Sequence, residues 1–152
     1  MKRFLILFGL IAISYASFAS DMVALHNNAR AVYGLPGLTW SSSLAKTATA
    51  WAVTMAKTGN FEHSHQKGKG ENIAMGTSAY TYTKLFNAWL AEKKYFIRGA
   101  KFPYCSTSGN YKDVGHFTQI IWRKTTKVGC GMASTGTHNY MACQYSKPGN
   151  YL

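Results

Sequence analysis

Apolar and polar positions along the 152-residue chain fall into a few regular patterns, each with its own period. Leu44, Ala48, Trp51, Ala52 and Met55 recur at helical spacing, which predicts an amphipathic helix whose stripe faces a core. Ser41, Ser42 and Ser43 each offer a capping oxygen at its start, and Gly59 can end it in a left-handed turn. A shorter helix is predicted from Asp21 to Tyr33, with Met22, Leu25 and Ala29 on one side and Gly34 and Pro36-Gly37 as its stop. Leu85, Phe86 and Trp89 predict another, capped from the polar stretch Thr77–Thr83. Gly115–Trp122 reads instead as a strand, with His116, Thr118, Ile120 and Trp122 on one face and Phe117, Gln119 and Ile121 on the other. A strand apolar on both faces needs cover on both, which points to a central sheet between helical layers.

Two further apolar runs, Lys127–Met132 and Asn139–Tyr145, flank Ser134-Thr135-Gly136-Thr137-His138 and predict a hairpin. A turn centred between Gly136 and Thr137 sets Cys130 opposite Cys143, close enough to bridge. In an exported protein that bridge contributes about 3 kcal/mol by restricting the unfolded chain. Cys105 is then the unpaired cysteine.

Composition changes the picture at the N-terminus and on the surface. Hydrophobic residues make up 47% of the chain and aromatics 14%, as expected of a packed single domain rather than a disordered one. Lys2 and Arg3 precede the apolar run Phe4–Ile13, and Ser17-Phe18-Ala19 supplies small residues for a signal peptidase. We therefore expect residues 1–19 to be a signal peptide and 20–152 one exported domain. Its destination is extracellular, or the periplasm of a bacterium with two membranes. Seventeen Lys and Arg oppose five Asp and Glu, for a net charge of +12; without Lys2 and Arg3, 15 cations against 5 acids leave +10. Such a field attracts anionic membranes and wall polymers. The cations are scattered, with no compact block of the kind a dedicated nucleic-acid arm carries, so none is expected.

The scarcity of acids narrows any charged site to Asp21, Glu62, Glu71, Glu92 and Asp113. His26 and Arg30 lie one helical turn apart, either as a solvated face or as a buried hydrogen-bonding corner. His63 and His65 form a His-x-His pair, a weak metal signal by itself. Glu71 and Asn72 enter a small apolar segment and need donors there. Glu92, one turn beyond Trp89, has Lys93 and Lys94 as its ordinary surface partners, and a histidine such as His116 is most often structural.

Five segments of the chain share a resemblance. Gly115-His116-Phe117-Thr118-Gln119-Ile120-Ile121-Trp122 is similar to the best-known signature of the CAP superfamily: cysteine-rich secretory proteins, antigen 5 and pathogenesis-related class one proteins. His26-Asn27-Asn28-Ala29-Arg30, Gly70-Glu71-Asn72-Ile73 and Trp89-Leu90-Ala91-Glu92 match further motifs in family order, and Cys143–Tyr151 resembles the second signature, with Lys147 departing from it. The resemblance implies an α+β fold, a three-layer α-β-α sandwich with a central, mostly antiparallel sheet: the SCP domain. It carries over a cleft tetrad of His63, Glu71, Glu92 and His116, with His65 a bystander. His63 and His116 would bind zinc or another divalent cation, with the acids ordering water.

In yeast members of the family a corresponding aromatic loop is associated with sterol binding; the loop at residues 99–114 differs from it in sequence, and the resemblance makes its Phe102, Tyr104 and Tyr111 candidate ligand contacts. The chain has no H-E-x-x-H helix and no G-x-S-x-G elbow. The expectation is accordingly a non-catalytic exported protein that binds a lipid, sterol or cell-surface component. A zinc-dependent peptide hydrolase using the same tetrad is the alternative.

Overall fold

The structure, a computed structural model, describes the backbone of residues 4–151 and side chains from residue 16 onward. Met1, Lys2 and Arg3 of the expected leader, and Leu152, lie outside the described residues.

A four-stranded sheet sits between two helical layers. Its strands are β1 (Thr39–Trp40), β2 (Gly70–Thr77), β3 (Lys127–Ser134) and β4 (His138–Ser146), in the order β1-β3-β4-β2. Only the β1–β3 pair is parallel; β3–β4 and β4–β2 are antiparallel. The predicted hairpin forms with Cys130 paired to Cys143, and the disulfide joins them.

Helix α2 (Ser42–Thr58) covers one face of β3 and β4. Its boundaries follow the sequence signals: Ser41 caps Leu44 N–H, and Gly59 closes the last turn at φ 73°. Gly129 and Gly131 allow this close approach, because a Cβ at either would run into the backbone of α2 at Ala45 or Thr49. The other face carries α1 (Phe4–Ala31), α3 (Tyr82–Ala91) and α4 (Gly115–Ile120). Strand alternation sorts the core accordingly: Tyr140 and Ala142 pack with Ala48 and Met55 of α2, while Met141, Cys143 and Tyr145 pack with Met22, Phe86, Trp89 and Ile120.

Two expectations change. The helix expected from Asp21 to Tyr33 is the C-terminal part of the longer α1, which ends at Ala31. The Gly115–Trp122 segment is not a strand, and its first six residues form α4. Two features outweigh the strand pattern. The Glu92 carboxylate accepts the N–H groups of His116 and Phe117, each at 3.0 Å, capping the helix start. The Thr118 hydroxyl donates back to Val114 O at 2.9 Å. Phe117, Thr118, Gln119 and Ile120, four consecutive residues, are all buried, so this short helix has no amphipathic stripe to betray it.

Residues assigned to the leader also contribute to the core. Phe18 meets Tyr82 edge-on at 5.1 Å and Trp40 at 6.5 Å, while the Tyr82 hydroxyl donates to Asp21 at 2.6 Å. A chain beginning at Ser17 is therefore expected to be about 1–2 kcal/mol more stable than one beginning at Ser20. Thermal melts of the two would show it, and equal midpoints would make Phe18 dispensable.

Candidate functional site

The first pair of the tetrad lies at β2, an outer strand of the sheet. Glu71 accepts four hydrogen bonds: from His63 Nδ1 at 3.0 Å, Ser64 N at 2.8 Å, Ser64 Oγ at 2.5 Å and Gln144 Nε2 at 3.0 Å. Burial by itself would raise the Glu71 pKa. The donors from His63, Ser64 and Gln144 outweigh it and hold the carboxyl below its ordinary value. Gln144 is fixed in turn by the Thr47 hydroxyl of α2. His63 is exposed on the loop after α2.

The second pair forms where the end of α3 meets the start of α4. Glu92 turns inward at the end of α3 instead of pairing with Lys93 or Lys94, and its Oε1 receives His116 Nδ1 at 2.6 Å. Trp89 stacks on the His116 ring at 5.9 Å and 14°, setting its plane. Asn72, next to Glu71 on β2, holds this region by donating to His116 O at 3.0 Å and to the Tyr145 hydroxyl at 3.2 Å.

The four residues form two His–Glu pairs, His63 with Glu71 and His116 with Glu92. Among the described residues, no three His, Cys, Asp or Glu side chains gather closely enough to hold a metal ion. The cavity beside the first pair, about 260 Å³, is lined by His63, His65, Lys69, Glu71, Gln119 and Asn150, and not by His116 or Glu92. His65 therefore shares the cavity without a hydrogen bond to Glu71 or Glu92. In both histidines the carboxylate accepts from Nδ1–H, which leaves the Nε2 lone pair as the free donor.

A larger cavity, about 420 Å³, opens under the aromatic loop. Phe96, Phe102, Cys105, Ile121, Trp122 and Tyr151 line it, with Arg123 and Lys124 at its margin. Phe102 is in the wall, edge-on to Trp122 at 5.7 Å and to Tyr111 at 4.9 Å. Tyr111 therefore buttresses Phe102 without lining the cavity, and Tyr104 is 80% exposed on the outside. Trp122 and Tyr151, 5.4 Å apart, join the cavity wall without any signal in the chain order. The expected strand put Trp122 in the sheet, and Tyr151 reaches the site only through the fold of the chain end. Cys105 is free and buried, and burial pushes its thiol pKa up.

The sequence profile of the cysteine-rich secretory protein family, CAP, matches residues 23–145. The chain belongs to the CAP family. Pathogenesis-related protein 1A of Nicotiana tabacum is 35% identical to this CAP chain over 133 residues, covering 86% of the chain and 76% of that protein. Secreted protein RBT4 of Candida albicans is 33% identical over 138 residues, covering 89% of the chain and 36% of that protein. The crystal structure of NaASP2 with Zn2+ superposes at a TM-score of 0.71 and 25% identity, covering 88% of this CAP chain and 81% of that one.

Proposed function

We propose that this CAP chain is an exported, non-catalytic protein that binds an apolar or amphipathic small molecule of the lipid or sterol class in the cavity beneath its aromatic loop. The observation that carries the reading is that cavity: about 420 Å³, walled by Phe96, Phe102, Ile121, Trp122 and Tyr151. Small-molecule sites combine such a volume and lining with a few polar groups that orient the ligand. Arg123 and Lys124 at the margin supply cations suited to an acidic or hydroxylated head group. Export is supported by the leader-like N-terminus and by the secreted relative.

The His–Glu pairs favour binding over hydrolysis. Glu71 accepts four hydrogen bonds and Glu92 three, which leaves Glu71 no lone pair and Glu92 a single one with which to take a proton from a water. Their chemistry fits an orienting role behind two imidazoles, and His63 and His116 would each, in its own pair, present Nε2 to a divalent cation such as zinc. The neighbour solved with Zn2+ supports testing this with zinc.

The test is displacement of a fluorescent sterol or fatty-acid probe. Phe102→Ala is expected to weaken probe binding about tenfold, since the ring's share of apolar burial against the probe is worth on the order of 1.4 kcal/mol. Unchanged affinity in that variant would remove the cavity from the reading. Titration calorimetry with zinc on the wild type and on His63→Ala/His116→Ala examines the metal separately, and indistinguishable isotherms would dismiss these histidines as ligands.

A further inference from the structure

The arch that roofs the larger cavity has an outer surface with a separate character. Residues 96–105 are drawn together by the bond from Ile97 N–H to Cys105 O at 2.9 Å, beside the bridge of Phe96 with Ser106. Phe96, Ala100, Phe102 and Cys105 point into the cavity, while Ile97, Arg98, Lys101 and Tyr104 are turned to solvent. Ile97 is 40% exposed and Tyr104 80%. Exposed Arg123 and Lys124 continue the same positive surface at the cavity margin.

Counter-charge is scarce here. The segment from Lys93 to Tyr104 contains no acid. Glu71 and Glu92 are committed to their histidines, and Asp21 to Tyr82. The exposed acids are Glu62, on the loop after α2, and Asp113, which accepts from Ser108 Oγ at 2.6 Å.

From this we infer that the outer face of the arch is a docking surface for an anionic phospholipid bilayer, against which the protein presents the cavity that takes up its ligand. The inference rests on the apolar-ligand reading and names its source. Two features of one short segment converge on this partner. Cations without counter-ions match an acidic headgroup layer, each contributing roughly a fivefold gain in partitioning near such a surface. An exposed tyrosine and isoleucine beside them suit the interfacial zone, where an apolar body and a polar tip are both satisfied. Nucleic acid or a wall polyanion would use the cations and have no need of Ile97.

Co-sedimentation of the mature chain with vesicles tests it, comparing phosphatidylcholine alone with mixtures containing phosphatidylserine. The wild type is expected to bind the acidic vesicles and leave the neutral ones. Arg98→Glu/Lys101→Glu should lose about tenfold or more in that binding. Lys46→Glu/Lys57→Glu, an equal change in net charge on α2 across the sheet, should lose far less. Ile97→Ser/Tyr104→Ser, which keeps every charge, should weaken binding once added salt screens the long-range attraction.

Equal losses from the arch and α2 reversals would reduce the effect to net charge and overturn the proposal. So would an unaffected Ile97→Ser/Tyr104→Ser protein, or a wild type that ignores acidic vesicles. Displacement of the soluble probe in the same variants separates the two readings. A protein that takes the probe but not the vesicle loses only the docking surface, whereas one that takes neither loses the cavity as well.

Discussion

Arg30→Ala is expected to lower the unfolding free energy by about 4 kcal/mol, the largest effect of any single replacement proposed for this chain. The guanidinium is completely buried and faces carbonyls in place of a carboxylate. Nε donates to Pro36 O at 2.8 Å, Nη1 to Ile120 O and Trp122 O at 2.9 Å each, and Nη2 to Thr125 O at 3.3 Å. Burial, with repulsion from Arg123, lowers its pKa from the usual arginine value. Alanine would leave four carbonyls without their donor and a void the size of the largest fully buried side chain. Lysine, a point charge without the planar fork, should recover less than half of the loss. Urea unfolding measures both variants, and a cost under about 1 kcal/mol for alanine would contradict this account. Arg30 also holds the turn after α4, where Trp122 enters the cavity wall, so Arg30→Lys should weaken probe binding even where it folds.

Acidification from pH 6.5 to about 4 is expected to remove about 3 kcal/mol of stability through one residue, His26. Its pKa is lowered from 6.5 to about 4, chiefly because burial disfavours the imidazolium, with nearby Arg30 adding to the effect against the hydrogen bond to Met22. The geometry describes a neutral ring. Nδ1–H donates to Met22 O at 2.7 Å, and Nε2 lies 2.9 Å from the Tyr145 hydroxyl. Asn72 Nδ2 already donates to that hydroxyl, whose own proton is therefore free to go to His26. Below pH 6.5 the unfolded chain binds a proton that the folded chain refuses, so unfolding is favoured increasingly until the folded ring titrates as well. Glu71, whose pKa is depressed, adds a second loss as the pH falls past the ordinary carboxylate value of 4.5. Unfolding free energies at pH 7.5 and 4.5 would show the difference for the wild type. His26→Gln, which cannot titrate, should lose most of the dependence above pH 4.5. An equal slope in both proteins would assign it to other groups.

These two residues show where reading the chain in one dimension stops. His26 and Arg30 are visibly one turn apart, yet a solvated face and a buried corner have the same spacing. What separates them is Tyr145 on one side and the carbonyls of Ile120, Trp122 and Thr125 on the other, all about a hundred residues away in sequence. Glu92 is a similar case: beside two lysines it reads as a surface acid, and the inward turn is implied by the Trp-x-x-Glu resemblance alone. The aromatic loop is legible as a functional stretch, but of Phe102, Tyr104 and Tyr111 only Phe102 enters the cavity wall.

Local chemistry determined what local chemistry can: α2 with its serine cap and glycine stop, and the hairpin whose centre sets Cys130 against Cys143. Motif order determined the family and the layered fold, because those residue types recur at those intervals. The tertiary structure alone decided that Gly115–Ile120 is a helix, since burial of four consecutive residues, Phe117 to Ile120, erases the periodicity that distinguishes helix from strand, and a carboxylate from the end of α3 supplies its cap. It alone decided the division of the tetrad into two pairs, because Glu71 on β2 meets the loop after α2, while Glu92 meets His116 only where the end of α3 packs against the start of α4. The cavity, too, is a product of packing: Phe102, Trp122 and Tyr151 meet only once three separate segments have folded over the same space.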